Sequence, residues 1–281
     1  MSSIYKFSAL DSYKLACLAS DTMWFSNLDD FNDPFEGCVK ITSDEKSVEE
    51  LNTALKNIWS LLKTKGVVEG KDTEYQENYS EEEKLGLLKI INEIFETELQ
   101  GIKQIAACSF MDAGDQVQIN QHMWSHYADG LRGYCLRFNK KRLTDSLAIE
   151  NEGYYLGSMN IKYSENIASI DAVEYFSCFD SRFNNSFIQQ SLAPKLKIYS
   201  AVATKSSSWA NEKEFRLLSG KKGSLKYDNE AIEEIIIGEK MPMDQQVLLI
   251  KIIQSINPSI KIKKVIMKKD SYLLKVVEYK R

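Results

Sequence analysis

MWSHYADGLRGYCLRF, residues 123–138, is the stretch on which the fold class turns. Its first half crowds Trp124, His126 and Tyr127 onto a short helix or turn. Its second half, GYCLRF, reads as a strand bounded by glycine. Gly130 and Gly133 permit a tight passage between the two, because glycine adopts backbone angles that a Cβ forbids. Arg132, between them, is expected to project toward solvent or a bound anion. His126 is either a hydrogen-bonded structural corner or part of an active-site wall. His122, in the loop before it, reads as incidental.

Outward from this stretch, short strands and separate helices recur. IYKF (4–7) and TMWFSN (22–27) read as strands around the helix LDSYKLACLAS, capped by Asp11 or Ser12, with Leu10, Tyr13, Leu15 and Leu18 available for one face. IKQIAACSF, NIKYS, FRLLS, EEIIIG, IKIKKVIM and LLKVVEY are further strand candidates. PMDQQVLLIKIIQSIN reads as a helix with Pro242 in its first turn and Met243, Val247, Ile250 and Ile253 on one stripe. Residues 168–206 read as helical, interrupted at Pro194. In FNDPFEG (31–37), Pro34 pushes Asp33 out of helical geometry, Phe31 and Phe35 are expected to pin the loop to the core, and Glu36 is left near a strand start.

Residues 44–100 differ in character. SDEKSVEELNTALKNIWSLLKTKG is amphipathic, with Val48, Leu51, Leu55, Ile58, Trp59 and Leu62 at helical spacing. SEEEKLGLLKIINEIFETELQ is a second helix with a Ser80 cap and Glu83 as its capping-box partner. The reading is one α+β, strand-rich domain over 1–281 with a two-helix insertion at 44–100.

Composition narrows the function. The 281 residues carry 36 Lys and Arg against 40 Asp and Glu, a net charge of −4, which argues against a general nucleic-acid binder. The five cysteines share no CxxC spacing and the chain has two histidines, so no zinc pattern assembles and no metal is expected. An odd number of scattered cysteines, no signal-peptide layout and no long apolar run lead to the expectation of a cytoplasmic protein of bacterial style, away from membranes.

The second chemistry-bearing stretch is KSSSWANEKEFRLLSG, residues 205–220. Trp209 is expected to anchor a turn begun at Ser207 or Ser208. If EKEFRLL is one strand, Glu212, Glu214 and Arg216 share a face. That face is either a solvated surface with an internal ion pair or a polar site whose arginine keeps a carboxylate ionised.

"IYKF", "MWFSNLDDFNDPFEG", "CSF", "MWSHYADGLRGYCLRF", "NEKEFRL" and "IIIG", in that order, resemble a widespread bacterial family of unknown function whose members occur beside abortive-infection and anti-phage genes. The arrangement is also similar, more distantly, to the ADP-ribosyltransferase layout and its split sheet. That resemblance implies NAD as co-substrate. Lys6 falls at the first-strand position that holds NAD, where the layout has His or Arg; a lysine cannot make their bidentate fork. Ser26 takes the second-strand position that supports the nicotinamide ribose. Glu214 is the late acid, with Glu212 the other carboxylate of the Glu-x-Glu. His126 and Tyr127 are candidate ribose and ring contacts.

Three functions follow as expectations. One is an NAD-using, ADP-ribosyltransferase-like enzyme or toxin, with Glu214, Glu212 and His126 catalytic and Lys6, Ser26, Tyr127, Arg132, Lys205, Trp209 and Arg216 binding. A second is a nuclease-type effector, with His126 as acid and base and Arg132, Lys205 and Arg216 on phosphates. A third is a non-catalytic sensor or binding module. The partners expected are a protein or nucleic-acid target and a cognate neutralising or sensor protein.

Overall fold

The computed structural model describes residues 2–42, 45–69, 77–178 and 203–280. Its first strands are β1 (Ser3–Ser8), β2 (Thr22–Asn27), β3 (Val39–Thr42), β4 (Ala106–Met111) and β5 (Tyr134–Asn139). β6 (Tyr155–Asn160), β7 (Lys162–Ser164), β8 (Ala168–Asp171), β9 (Thr204–Ser206) and β10 (Glu214–Ser219) follow. β11 (Gly223–Lys226), β12 (Ile232–Gly238), β13 (Lys261–Met267) and β14 (Leu274–Glu278) complete them. The α-helices are α1 (Ser12–Ala19), α2 (Val48–Thr64), α3 (Glu81–Lys103), α4 (Gln121–His126), α5 (Lys140–Glu150), α6 (Ala172–Ser177) and α7 (Met243–Ile256). The class is α+β. Contacts divide the chain into two compact units: Met1–Phe31 with Gln104–Ile161 and Ser207–Arg281, and Asn32–Lys103 with Lys162–Ser206.

The first unit is built on a ten-stranded mixed sheet ordered β11-β2-β4-β1-β5-β12-β13-β14, with β10 also on β4 and β6 on β10. Alternation along each strand sorts its side chains onto two faces. Ile4, Phe110, Leu136, Phe138, Phe215, Ile235 and Ile237 form one core with Leu143 and Leu147 of α5 and Leu249, Ile250 and Ile253 of α7. Tyr5, Phe7, Met111, Cys135 and Ile236 form the other with Met123 and Trp124 of α4. The Trp124 indole sits edge-on to Phe7 at 5.3 Å and donates to the Gln118 carbonyl at 2.8 Å.

The decisive passage works as its glycines suggest. Gly130 has φ +58°, and Asp129 and Leu131 beside it are also left-handed, at +48° and +73°. The buried Leu131 is held there by its carbonyl, which accepts from Lys240 N at 3.0 Å. A Cβ on Gly133 would stand 2.1 Å from the Ser8 carbonyl oxygen, so only glycine fits.

β4 is the pivot of the sheet. One edge pairs with β10 from Ala106 to Met111. The other is parted: Ala106 and Ala107 pair with Asn27 and Ser26 of β2, whereas Met111 pairs with Tyr5 of β1. Between them Lys6 Nζ donates to the Ser109 carbonyl at 3.1 Å.

The second unit packs α2, α3 and α6 around Leu51, Ala54, Ile58, Ile91 and a cluster of Phe95, Tyr175 and Phe176. Ser47 and Ser80 cap α2 and α3, each in a reciprocal bond with the glutamate three residues on. The parallel pairs β3–β8 and β7–β9 complete it.

Several expectations need correcting. Within 168–206, Ala168–Asp171 and Thr204–Ser206 are strands, because partners in β3 and β7 override a helical pattern. The helix there begins at Ala172, where Asp171 accepts from Glu174 N at 2.9 Å. Residues 179–202, including Pro194, lie outside the described residues. In α7, Pro242 precedes the first turn and the buried stripe is Gln246, Leu249, Ile250 and Ile253; Met243 and Val247 are exposed. Tyr13 of α1 is exposed and lies edge-on to Trp24 at 5.5 Å. Phe35 is 61% exposed and pins nothing, while Phe31 is half-buried. No helix among the described residues is long and apolar enough to cross a membrane.

Candidate functional site

The polar cluster at the parting of β4 centres on Glu214. Arg216 follows two residues later on β10, so both side chains leave the same face. Register places Ser109 directly opposite Arg216 and Met111 opposite Glu214. Ser109 Oγ donates to Glu214 Oε1 at 2.6 Å, Arg216 Nε donates to the same oxygen at 2.5 Å, and Arg216 Nη2 donates to Oε2 at 3.1 Å. The guanidinium lies over the Phe31 ring at 5.0 Å. Glu214 and Arg216 are only 6% and 2% exposed. A charge pair this deep survives only with close, multiple hydrogen bonds, and this one has them. The result is a carboxylate whose position is fixed from two sides.

Ser26 belongs to the same face. It pairs with Ala107, two residues along β4 from Ser109. Glu212 enters differently from the sequence expectation. β10 begins at Glu214, Lys213 has φ +41°, and Glu212 ends a 3-10 turn over Ser207–Glu212. Glu212 therefore does not share a strand face with Glu214. It is buried and accepts from the Tyr127 hydroxyl. Tyr127 caps the C-terminus of α4, whose N-terminal cap Asn120 donates to the Asn211 carbonyl at 3.3 Å. The WSHYAD segment and the SSWANE turn are thus tied together at two points.

The remaining predicted residues are placed differently. Lys6 pairs with Leu136 and lies over the Phe110 ring at 5.1 Å, on the face opposite Glu214; only its ammonium reaches the parting. His126 is exposed on α4, its ring parallel to that of His122 at 6.4 Å. It is not a buried corner. The cause is the short helix: with Met123 and Trp124 turned inward, positions 122 and 126 turn outward together. Arg132 is exposed and folds back onto its own turn, donating to the Asp129 carbonyl at 3.3 Å. Trp209 is half-buried in the 3-10 turn. Lys205 is buried on β9 in the second unit. Of the three cations expected on phosphates, Arg132 is exposed while Lys205 and Arg216 are buried.

Ser109 was missed as a site residue. Its signal was a lone hydroxyl inside the apolar run AACSFM, where a strand gives one polar side chain a direct partner on the next strand. Among the described residues no group of three or more His, Cys, Asp or Glu is placed to hold a metal ion. All five cysteines are free thiols.

Comparison with known proteins adds one likeness. No curated protein and no solved structure matches the chain. Residues 123–217, from the start of the WSHYAD segment through the Glu214–Arg216 pair, match the model of a family described as "Protein of unknown function (DUF2971)".

Proposed function

We propose that this chain is an enzyme of ADP-ribosyl transfer, which breaks the nicotinamide–ribose bond of NAD and passes the ADP-ribosyl group to a protein, a nucleic acid or water. The observation that carries the reading is the parting of the sheet at β4, with Glu214 held there by Ser109 and Arg216 on the face that also bears Ser26. When that bond breaks, the bonding electrons leave with nicotinamide and positive charge develops on the sugar. A carboxylate already fixed in place stabilises that charge without reorganising. The hydroxyls of Ser26 and Ser109 suit ribose hydroxyls. Glu212, held by Tyr127, is a second carboxylate at the entrance to the same strand. Arg216 orients Glu214, and Lys6 supplies positive charge from the far side of the parting.

An activity that runs until NAD is depleted arrests the cell that contains it. That consequence fits an abortive-infection effector acting against phage and kept silent by a neutralising or sensor partner. The test is mass spectrometry of the purified protein with NAD and cell lysate, wild type beside Glu214→Gln, with melting curves of both. Nicotinamide release or an ADP-ribose adduct, abolished in a variant that is still folded, is the expected result. A folded wild type that leaves NAD intact refutes the reading.

A further inference from the structure

A second polar constellation, at the β5–β12–β13 end of the sheet, plays no part in the site above. The register of β12 against β5 shifts between Ile232 and Glu234, and this bulge lets both Glu233 and Glu234 turn toward Arg137. Arg137 Nε lies 3.2 Å from Glu233 Oε2, and Arg137 Nη1 lies 3.9 Å from Glu234 Oε2. Lys263 Nζ reaches the same Glu234 oxygen at 3.0 Å. Glu234 is 2% exposed, and its other oxygen, Oε1, is buried with no hydrogen-bond partner among the described residues. A buried carboxylate oxygen without a donor is costly, and such exceptions need an explanation.

The surroundings supply one. Glu234 lines a groove of about 700 Å³, together with Arg137, Arg142, Glu230, Glu233 and Lys261. Arg142 is held by Asp228 at 2.9 Å and by Glu230. Lys261 is different. It stands directly opposite Glu234 in the parallel β12–β13 register, is exposed, and has no ion-pair partner among the described residues. Neighbouring strands lie about 5 Å apart. Glu234, one of whose oxygens lacks a donor, and Lys261, which lacks an ion-pair partner among the described residues, therefore stand opposite each other on adjacent strands, and both residues line the groove.

We infer that this groove binds a small zwitterion of the α- or β-amino-acid class, its ammonium donating to Glu234 Oε1 and its carboxylate accepting from Lys261 Nζ. The matched charges account for a lining with as many cations as anions. They also account for the unfilled oxygen, which one N–H completes.

The test is titration of the full chain with glycine and with β-alanine, followed by amide chemical shifts. Glu234→Gln and Lys261→Met are titrated alongside, and Glu214→Gln is the control from the other site. Saturable shifts around the groove, with affinity weakened about tenfold or more in both groove variants and unchanged in Glu214→Gln, are expected. Lys261 is exposed, so its variant stays folded and keeps the test meaningful if Glu234→Gln does not. No saturable shift with either compound up to about 10 mM, or equal binding by wild type and Lys261→Met, overturns the assignment.

Discussion

Glu214 and Glu234 are both buried on the same face of one sheet, yet they are compensated in different ways. Glu214 is held by an arginine two residues along its own strand and by a serine across the ladder, so that both its oxygens accept. Glu234 depends on Lys263 of the next strand and, at longer range, on Arg137, and one of its oxygens accepts nothing among the described residues. The difference separates a carboxylate whose place is fixed from one whose hydrogen bonding is incomplete. The first suits stabilising a charge that forms during a reaction. The second suits a ligand that arrives with its own donor.

The comparison can be broken experimentally. The largest effect is expected for Arg216→Met, which strands a buried Glu214 without its counter-charge. Loss of one partner of a buried pair costs about 3–5 kcal/mol, and denaturant unfolding measures it. Near-wild-type stability would mean that the ion pair is not what holds this part of β10. Asn139→Ala is next. Asn139 caps α5 by accepting from Arg142 N at 3.0 Å and donates to Glu233 at 3.3 Å. Loss of such a cap costs about 1 kcal/mol, again by denaturant unfolding.

Glu234→Gln should cost less than Arg216→Met. Its close cation, Lys263, has a side chain 23% exposed and can recover hydration. A cost equal to that of Arg216→Met would erase the contrast between the two carboxylates.

An effect absent at neutral pH comes from the opposite face. Burial pushes the Tyr155 phenol up to about 12 from its ordinary 10.0 and raises Tyr134 and Tyr227 as well. The folded form therefore keeps protons that the unfolded chain gives up. That stability is fully present below pH 10.0 and is lost as pH rises from there toward about 12. Unfolding midpoints measured across this range should fall, and Tyr155→Phe should flatten the fall.

What the sequence revealed depended on how local each feature was. IYKF, TMWFSN, GYCLRF and FRLLS are strands close to where alternation and β-formers put them. Glu214 and Arg216 share a face because a strand repeats every two residues. The Ser80–Glu83 capping box was legible because its partners are three residues apart. Features set by distant partners were not. Glu212 leaves the strand because its carboxylate meets Tyr127, 85 positions away in the chain. The parting of β4 is a matter of which strands abut which, and no window of sequence holds that. His126 read as a structural corner or an active-site wall because it stood among aromatics, but Trp124 is what faces inward. α5 was overlooked, although Asn139 as cap and Leu143 and Leu147 at helical spacing were there to be read.

The most direct test of the central claim uses Ser109→Ala. This substitution leaves the Glu214–Arg216 pair intact and removes one of the bonds that aim the carboxylate. If Glu214 stabilises charge developing on the ribose, kcat for nicotinamide release should fall about tenfold or more, with KM for NAD and the melting temperature close to wild type. An unchanged kcat in a folded variant would contradict the role assigned to the Ser109–Glu214–Arg216 cluster.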